Sequence, residues 1–217
     1  MRLIISAALL MFLTSCASPP PSADEVMESI AETSVYECGE FEFVTRNNDD
    51  GILLYMTDDT LIMQQVISAS GAKYQGSGGT LWVKGEEATL DLGYRSYRDC
   101  KINHHRGPWE DARRRGVQFR AVGQEPGWFL EIKPGQNILL VGDYGGSRYL
   151  FNAPEPALEE GVAIYRTENS QNELVVEINA DWCQDSMSGQ VFSNRVVLNL
   201  DGKEFRGCGE AFEDEWR

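Results

Sequence analysis

The 217-residue chain carries 34 acidic residues against 19 basic ones, a formal charge of −15. That balance excludes nucleic acid and anionic lipid surfaces as electrostatic partners. It suits a basic protein partner, chiefly through faster steered encounter.

The first residues give an address. Met1-Arg2 is a short basic start, and Leu3 to Leu13 is an uncharged apolar run too short to span a bilayer as a mature helix. Leu13-Thr14-Ser15-Cys16 follows and resembles a bacterial lipobox, with cleavage before Cys16 and lipid on its thiol. Residues 1–15 are then a signal peptide. Loss of Arg2 leaves the mature chain at −16. Ala17, not aspartate, follows the cysteine, so the expected destination is the outer membrane, lipid-anchored and facing the periplasm. Several acyl chains make such an anchor stable. Residues 16–33 are Pro/Ser-rich and then acidic, and read as a flexible tether in which Ala23 to Glu32 could form a short helix that nothing forces.

Setting Cys16 aside leaves Cys38, Cys100, Cys183 and Cys208, an even number in an exported chain, which implies disulfides. Of the three possible pairings, Cys38–Cys100 with Cys183–Cys208 keeps each bridge within one half. No CxxC pair occurs and the two histidines are adjacent, so no metal or cofactor is expected.

Val35 to Val44 alternates as one half-buried strand. Asn47 to Gly51 and Thr57 to Thr60 are turns flanking a strand at Ile52 to Met56, and Leu61 to Ile67 is the next strand. Two short strands, Ala72 to Gln75 and Leu81 to Val83, enclose a Gly-rich turn. Ala88 to Leu92 and Tyr97 to Ile102 complete residues 34–103 as a small antiparallel β-barrel or sandwich. Residues 104–116 read as a linker with room for one helical turn from Trp109 to Arg115. Its basic run Arg113-Arg114-Arg115 is expected to be a solvated face, and His104-His105 to be exposed. Residues 117–217 give a second all-β domain. Strands are expected at 117–122, 128–132, 138–141, 147–151, 162–166, 173–180, 196–200 and 203–206, and Glu155 to Gly161 as an acidic loop.

Residues Tyr36 to Lys101 resemble the membrane-bound inhibitors of c-type lysozyme, the MliC-like family. The likeness rests on Tyr36-x-Cys38, Ser68-Ala69-Ser70-Gly71-Ala72-Lys73-Tyr74, Trp82-x-Lys84-Gly85-x-x-Ala88 and the closing Cys100. It implies a small barrel with one disulfide, two of whose loops enter the lysozyme cleft. Ser70 and Lys84 match the family's inserting residues, with Ser68, Gly71, Tyr74 and Gly85 beside them. The stretches Phe119 to Trp128, Cys183 to Gly189 and Gly207-Cys208-Gly209 look like an uncharacterised domain of bacterial envelope lipoproteins, which implies a β fold and no activity.

The leading expectation is therefore a non-enzymatic lysozyme inhibitor. The alternative is a binding module for cell-wall or lipoprotein partners. A hydrolase built on Glu125 and Asp185 ranks below both, because GxSxG, HExxH and a free Cys–His pair are all missing from the sequence. Asp185, Ser186 and Ser188 are better read as a disulfide-pinned turn.

Overall fold

The computed structural model describes residues 20–212; Cys16 and its lipobox lie outside them. Eight strands form a closed antiparallel barrel in chain order: β1 (Thr33–Cys38), β2 (Phe41–Asn48), β3 (Gly51–Tyr55), β4 (Thr60–Val66), β5 (Ala72–Gly76), β6 (Gly79–Lys84), β7 (Glu87–Asp91) and β8 (Ser96–Asn103). Period-two alternation turns Phe43, Leu54, Met63, Leu81 and Leu90 into the interior, where each is almost fully buried. Strand β1 pairs with β8 and closes the ring. Cys38 and Cys100 are bonded across 62 residues and clasp the first strand to the last.

The stretch Val35 to Val44 is two strands, not one. Gly39 takes a φ of +70°, which side chains disfavour, and turns the chain so that Cys38 faces Phe41. Alternation continues through the reversal, so the turn leaves no mark on the hydrophobic pattern.

Two helices tie this barrel to the rest. Helix α1 (Ala23–Glu28) lies within the stretch read as a tether. Ser22 and Glu25 form a reciprocal capping box at its start. Its Val26 packs on Leu139 and Val141, with Met27 and Ile30 beside it, and Asp24 pairs with Arg148 at 2.8 Å. Helix α2 (Gly107–Arg114) occupies the linker. A Cβ on Gly107 would meet the Thr33 carbonyl at 2.3 Å, so only glycine lets the helix start lie on β1.

Helix α2 carries a buried ion network. Asp111 accepts from Arg46 of β2 at 3.0 Å and from Arg115 at 2.5 Å. Arg115 reaches on to Glu131 at 2.7 Å, and Glu131 also pairs with Arg120. The Asp111 and Glu131 side chains are each 2% exposed and that of Arg115 6%. Burial disfavours charge on both arginines. It prevails at Arg120, whose value falls, while Glu131 and Asp111 outweigh it at Arg115, whose value rises. Arg114 lies over the Tyr55 ring at 3.7 Å. The expected solvated face is thus incorrect for Arg115, which is buried because acids from two directions converge on it.

The second unit is an antiparallel sheet of nine strands. In spatial order these are β12 (Ser147–Asn152), β11 (Asn137–Gly142), β10 (Gly127–Lys133), β9 (Phe119–Gln124), β19 (Lys203–Ala211), β18 (Asn194–Leu200), β15 (Glu173–Asn179), β14 (Val162–Glu168) and β13 (Ala157–Glu159). Strand β13 falls in the stretch expected to be an acidic loop. The sheet curls into a half-barrel around Leu130, Ile132, Ile138, Leu174, Val196 and Leu198. Thr167 and Asn169 side chains bond the Asn152 and Leu150 carbonyls, bridging β14 to β12. A short pair, β16 (Cys183–Gln184) with β17 (Val191–Phe192), is stapled to β19 through Cys183–Cys208. Among the described residues the fold is all-β apart from short helices, with one disulfide in each unit.

Replacing Glu131 by Gln leaves Arg115 and Arg120 short of a buried counter-charge. Unfolding stability should fall by about 3 kcal/mol, measured in urea. Replacing Cys38 and Cys100 by Ser should cost about 4 kcal/mol in the chain-entropy model, read as a lower midpoint.

Candidate functional site

In an up-and-down barrel, alternate turns share an end. The β4–β5 loop, residues 67–71, and the β6–β7 turn at Gly85-Glu86 therefore lie on the same rim. Contacts draw them together further. A Cβ on Gly71 would meet the Val83 carbonyl at 2.2 Å and the Lys84 Cα at 3.3 Å, so the first loop sits directly on the strand that ends in Lys84. Gly71 has a φ of +68° and Gly85 one of +63°, left-handed conformations in which glycine is favoured.

The Ser68 hydroxyl lies 2.9 Å from both the Ser70 and Gly71 carbonyls and can donate to either. The Trp82 indole Nε1 donates to the Ser70 carbonyl, also at 2.9 Å. The loop is thus held from inside by a hydroxyl and from the neighbouring strand by an indole, while the Ser70 and Lys84 side chains are exposed. Trp82 itself is 42% exposed and forms a flat apolar shoulder beside the loop.

Tyr74 is placed differently from the other candidates. It pairs in register with Leu81, whose side chain is buried in the barrel, and it packs half-buried against that core. Tyr36, in the same core, has its phenol pushed up by burial. Tyr74 lines the barrel, and its position gives the rim support more than surface.

The electrostatics of the rim involve residues not singled out from sequence. Glu87 faces Lys84 across the turn and Lys101 on the other side. The Lys101 ammonium donates to the Glu87 carboxylate. That hydrogen bond, then the Lys101 charge and last the Lys84 charge hold Glu87 below the usual carboxylate range. Lys101 is raised in return, first by the same hydrogen bond. The neighbouring Glu86 lies 3.4 Å from His104 Nε2, and both side chains are exposed, as is His105. Nothing in the sequence pattern shows these pairings, because they depend on the register of β8 against β7.

In the second unit, Gly123 to Glu125, Cys183 to Ser186 and Gly207-Cys208 meet at a cavity of about 430 Å³, lined also by Arg195 and Arg206. Asp185 is buried. Burial opposes its charge, but the Ser188 hydroxyl and backbone N–H, at 2.5 and 2.9 Å, and Gln124 at 3.4 Å lower its value overall. It anchors a turn beside the Cys183–Cys208 bridge. Among the described residues no cluster of His, Cys, Asp and Glu is arranged to hold a metal ion, and no helix is long and apolar enough to cross a membrane.

Comparison with known proteins agrees with the barrel's geometry. Residues 36–99 match the family model of the membrane-bound lysozyme-inhibitor of c-type lysozyme, MliC. The likeness covers most of the N-terminal barrel. A relative from Yersinia enterocolitica, named membrane-bound lysozyme inhibitor of C-type lysozyme, is 28% identical over 102 residues, covering 46% of this chain and 80% of its own. No solved structure matches the chain. The MliC-like match ends at residue 99, before α2 and the nine-stranded sheet.

Gly71→Ala should displace the β4–β5 loop from the Val83–Lys84 backbone, at a stability cost above about 1 kcal/mol. Loss of the Trp82 indole N–H to Ser70 hydrogen bond, seen as an upfield shift of the indole proton in solution NMR, checks it.

Proposed function

We propose that the protein is a non-enzymatic inhibitor of c-type lysozyme, lipid-anchored at Cys16 to the outer membrane and facing the periplasm, which inserts its Ser70 and Lys84 loops into the enzyme's active-site cleft. The observation that carries this reading is the seating of Gly71 on the Val83–Lys84 backbone, which puts an exposed hydroxyl and an exposed ammonium on neighbouring loops of one rim. The relative's name and the family match support the choice of target.

The chemistry is that of a plug for a two-carboxylate site. Lysozyme needs one carboxyl protonated as a general acid and a second one ionised. A lysine ammonium beside that acid favours its ionised form and removes the proton to be donated. Lys84 is a compact cation on a flexible stem, suited to reaching into a cleft. Ser70 adds a hydroxyl donor to a charged acceptor. The two loops are held by Gly71, Ser68 and Trp82 before any partner arrives, so little ordering entropy is lost on binding. The acidic balance of the chain steers it toward a basic enzyme and should make association faster at low salt.

The experiment is a cell-wall lysis assay with the full chain and a c-type lysozyme. Lys84→Ala should weaken inhibition by roughly 10- to 100-fold, the worth of a hydrogen bond to a charged group. Ser70→Ala should weaken it less. Absence of inhibition at micromolar protein would defeat the proposal.

A further inference from the structure

The Lys84 turn contains a competitor for its own cation. Lys84 and Glu87 are cross-strand partners flanking the two-residue turn. Opposite charges in that relation attract. Left to itself, Glu87 would draw the Lys84 ammonium back across the hairpin and away from any incoming carboxylate. The last barrel strand intervenes. Lys101 of β8 is the register partner of Glu87 on its other side, and its ammonium donates to the Glu87 Oε1 atom. Glu86, the other acid of the turn, has His104 beside it.

We propose that Lys101 is a positioning residue of the inhibitory rim: by occupying Glu87 it leaves the Lys84 ammonium free to meet the carboxylates of lysozyme. The inference rests on the inhibitor reading above. The order of influences on Glu87 agrees with it, since Lys101 acts through both a hydrogen bond and charge while Lys84 acts through charge alone and last.

The proposal predicts an effect opposite in sign to long-range electrostatics. Lys101→Gln makes the chain more acidic, and steering alone would then improve its encounter with a basic enzyme. A positioning role predicts the reverse, because a freed Glu87 claims Lys84. The side chains of Lys101 and Glu87 are 63% and 56% exposed, so their replacement leaves the barrel core intact.

The test measures the inhibition constant of the full chain against a c-type lysozyme for five variants, Lys84→Ala among them. Lys101→Gln should weaken inhibition about twofold to fivefold, in line with an exposed ion pair. Lys101→Arg should retain wild-type inhibition. The double variant Lys101→Gln/Glu87→Gln, which keeps the wild-type net charge, should recover it. On a Lys84→Ala background, Lys101→Gln should change nothing further. Unchanged or tighter inhibition by Lys101→Gln, or a loss that persists in the double variant, would overturn the positioning role. If Lys84→Ala itself has no effect, the inhibitor reading fails instead, so the two failures are distinguishable.

Discussion

The arrangement of the whole molecule depends on one buried chain of charges. Asp111 holds Arg46 of the barrel with one oxygen and Arg115 of its own helix with the other, and Arg115 passes the connection to Glu131 in the sheet. Such a network is weak evidence for stability, since desolvation offsets much of the attraction. Its geometric consequence is clearer. A carboxylate removed from water must be met by its cations, so the barrel and the sheet can be related to α2 in few ways other than the one that satisfies Asp111 and Glu131 together. The stacking of Arg114 on Tyr55 and the close approach of Gly107 to Thr33 belong to the same junction.

That junction lies on the β1–β3 side of the barrel, through Thr33, Arg46 and Tyr55. The rim loops belong to β4 through β7, on other strands of the ring. Ser70 and Lys84 stay exposed with the second unit in place. The fold thus separates the surface used for internal assembly from the rim proposed to meet a partner. In the barrel, the disulfide and the apolar interior fix the strands, and the glycines at 71 and 85 use that rigidity to bring two loops within contact of each other.

Much of this was legible in the sequence, for reasons that can be named. The barrel strands announced themselves because one face of each is wet, which gives clean alternation, and because Gly, Asn and Asp mark most of the turns. The reversal at Gly39-Glu40 was missed because alternation runs through it unbroken. The buried Arg115 was missed because a basic run reads the same whether solvated or met by acids, and Glu131 is separated from it by a strand. The docking of α1 had a faint signal. Ile138-Leu139-Leu140-Val141 is apolar at four successive positions, which a strand covered on one face does not need. Leu139 and Val141 are the residues under α1. The Lys101–Glu87 pairing had no signal at all, being set by the register of two strands across a bulge near Ala88.

The docked position of α1 limits how far the protein can stray from an anchor. If lipid is attached at Cys16, only six residue steps separate it from the helix cap at Ser22. Six residue steps span roughly 20 Å when fully stretched, less than the length of chain that a tether to residue 33 would allow. With lipid at Cys16, the half-barrel on which α1 rides would be the part moored close to the bilayer. The barrel would then be carried as on a bracket, its reach and heading set by the half-barrel beneath it in place of a swinging cord.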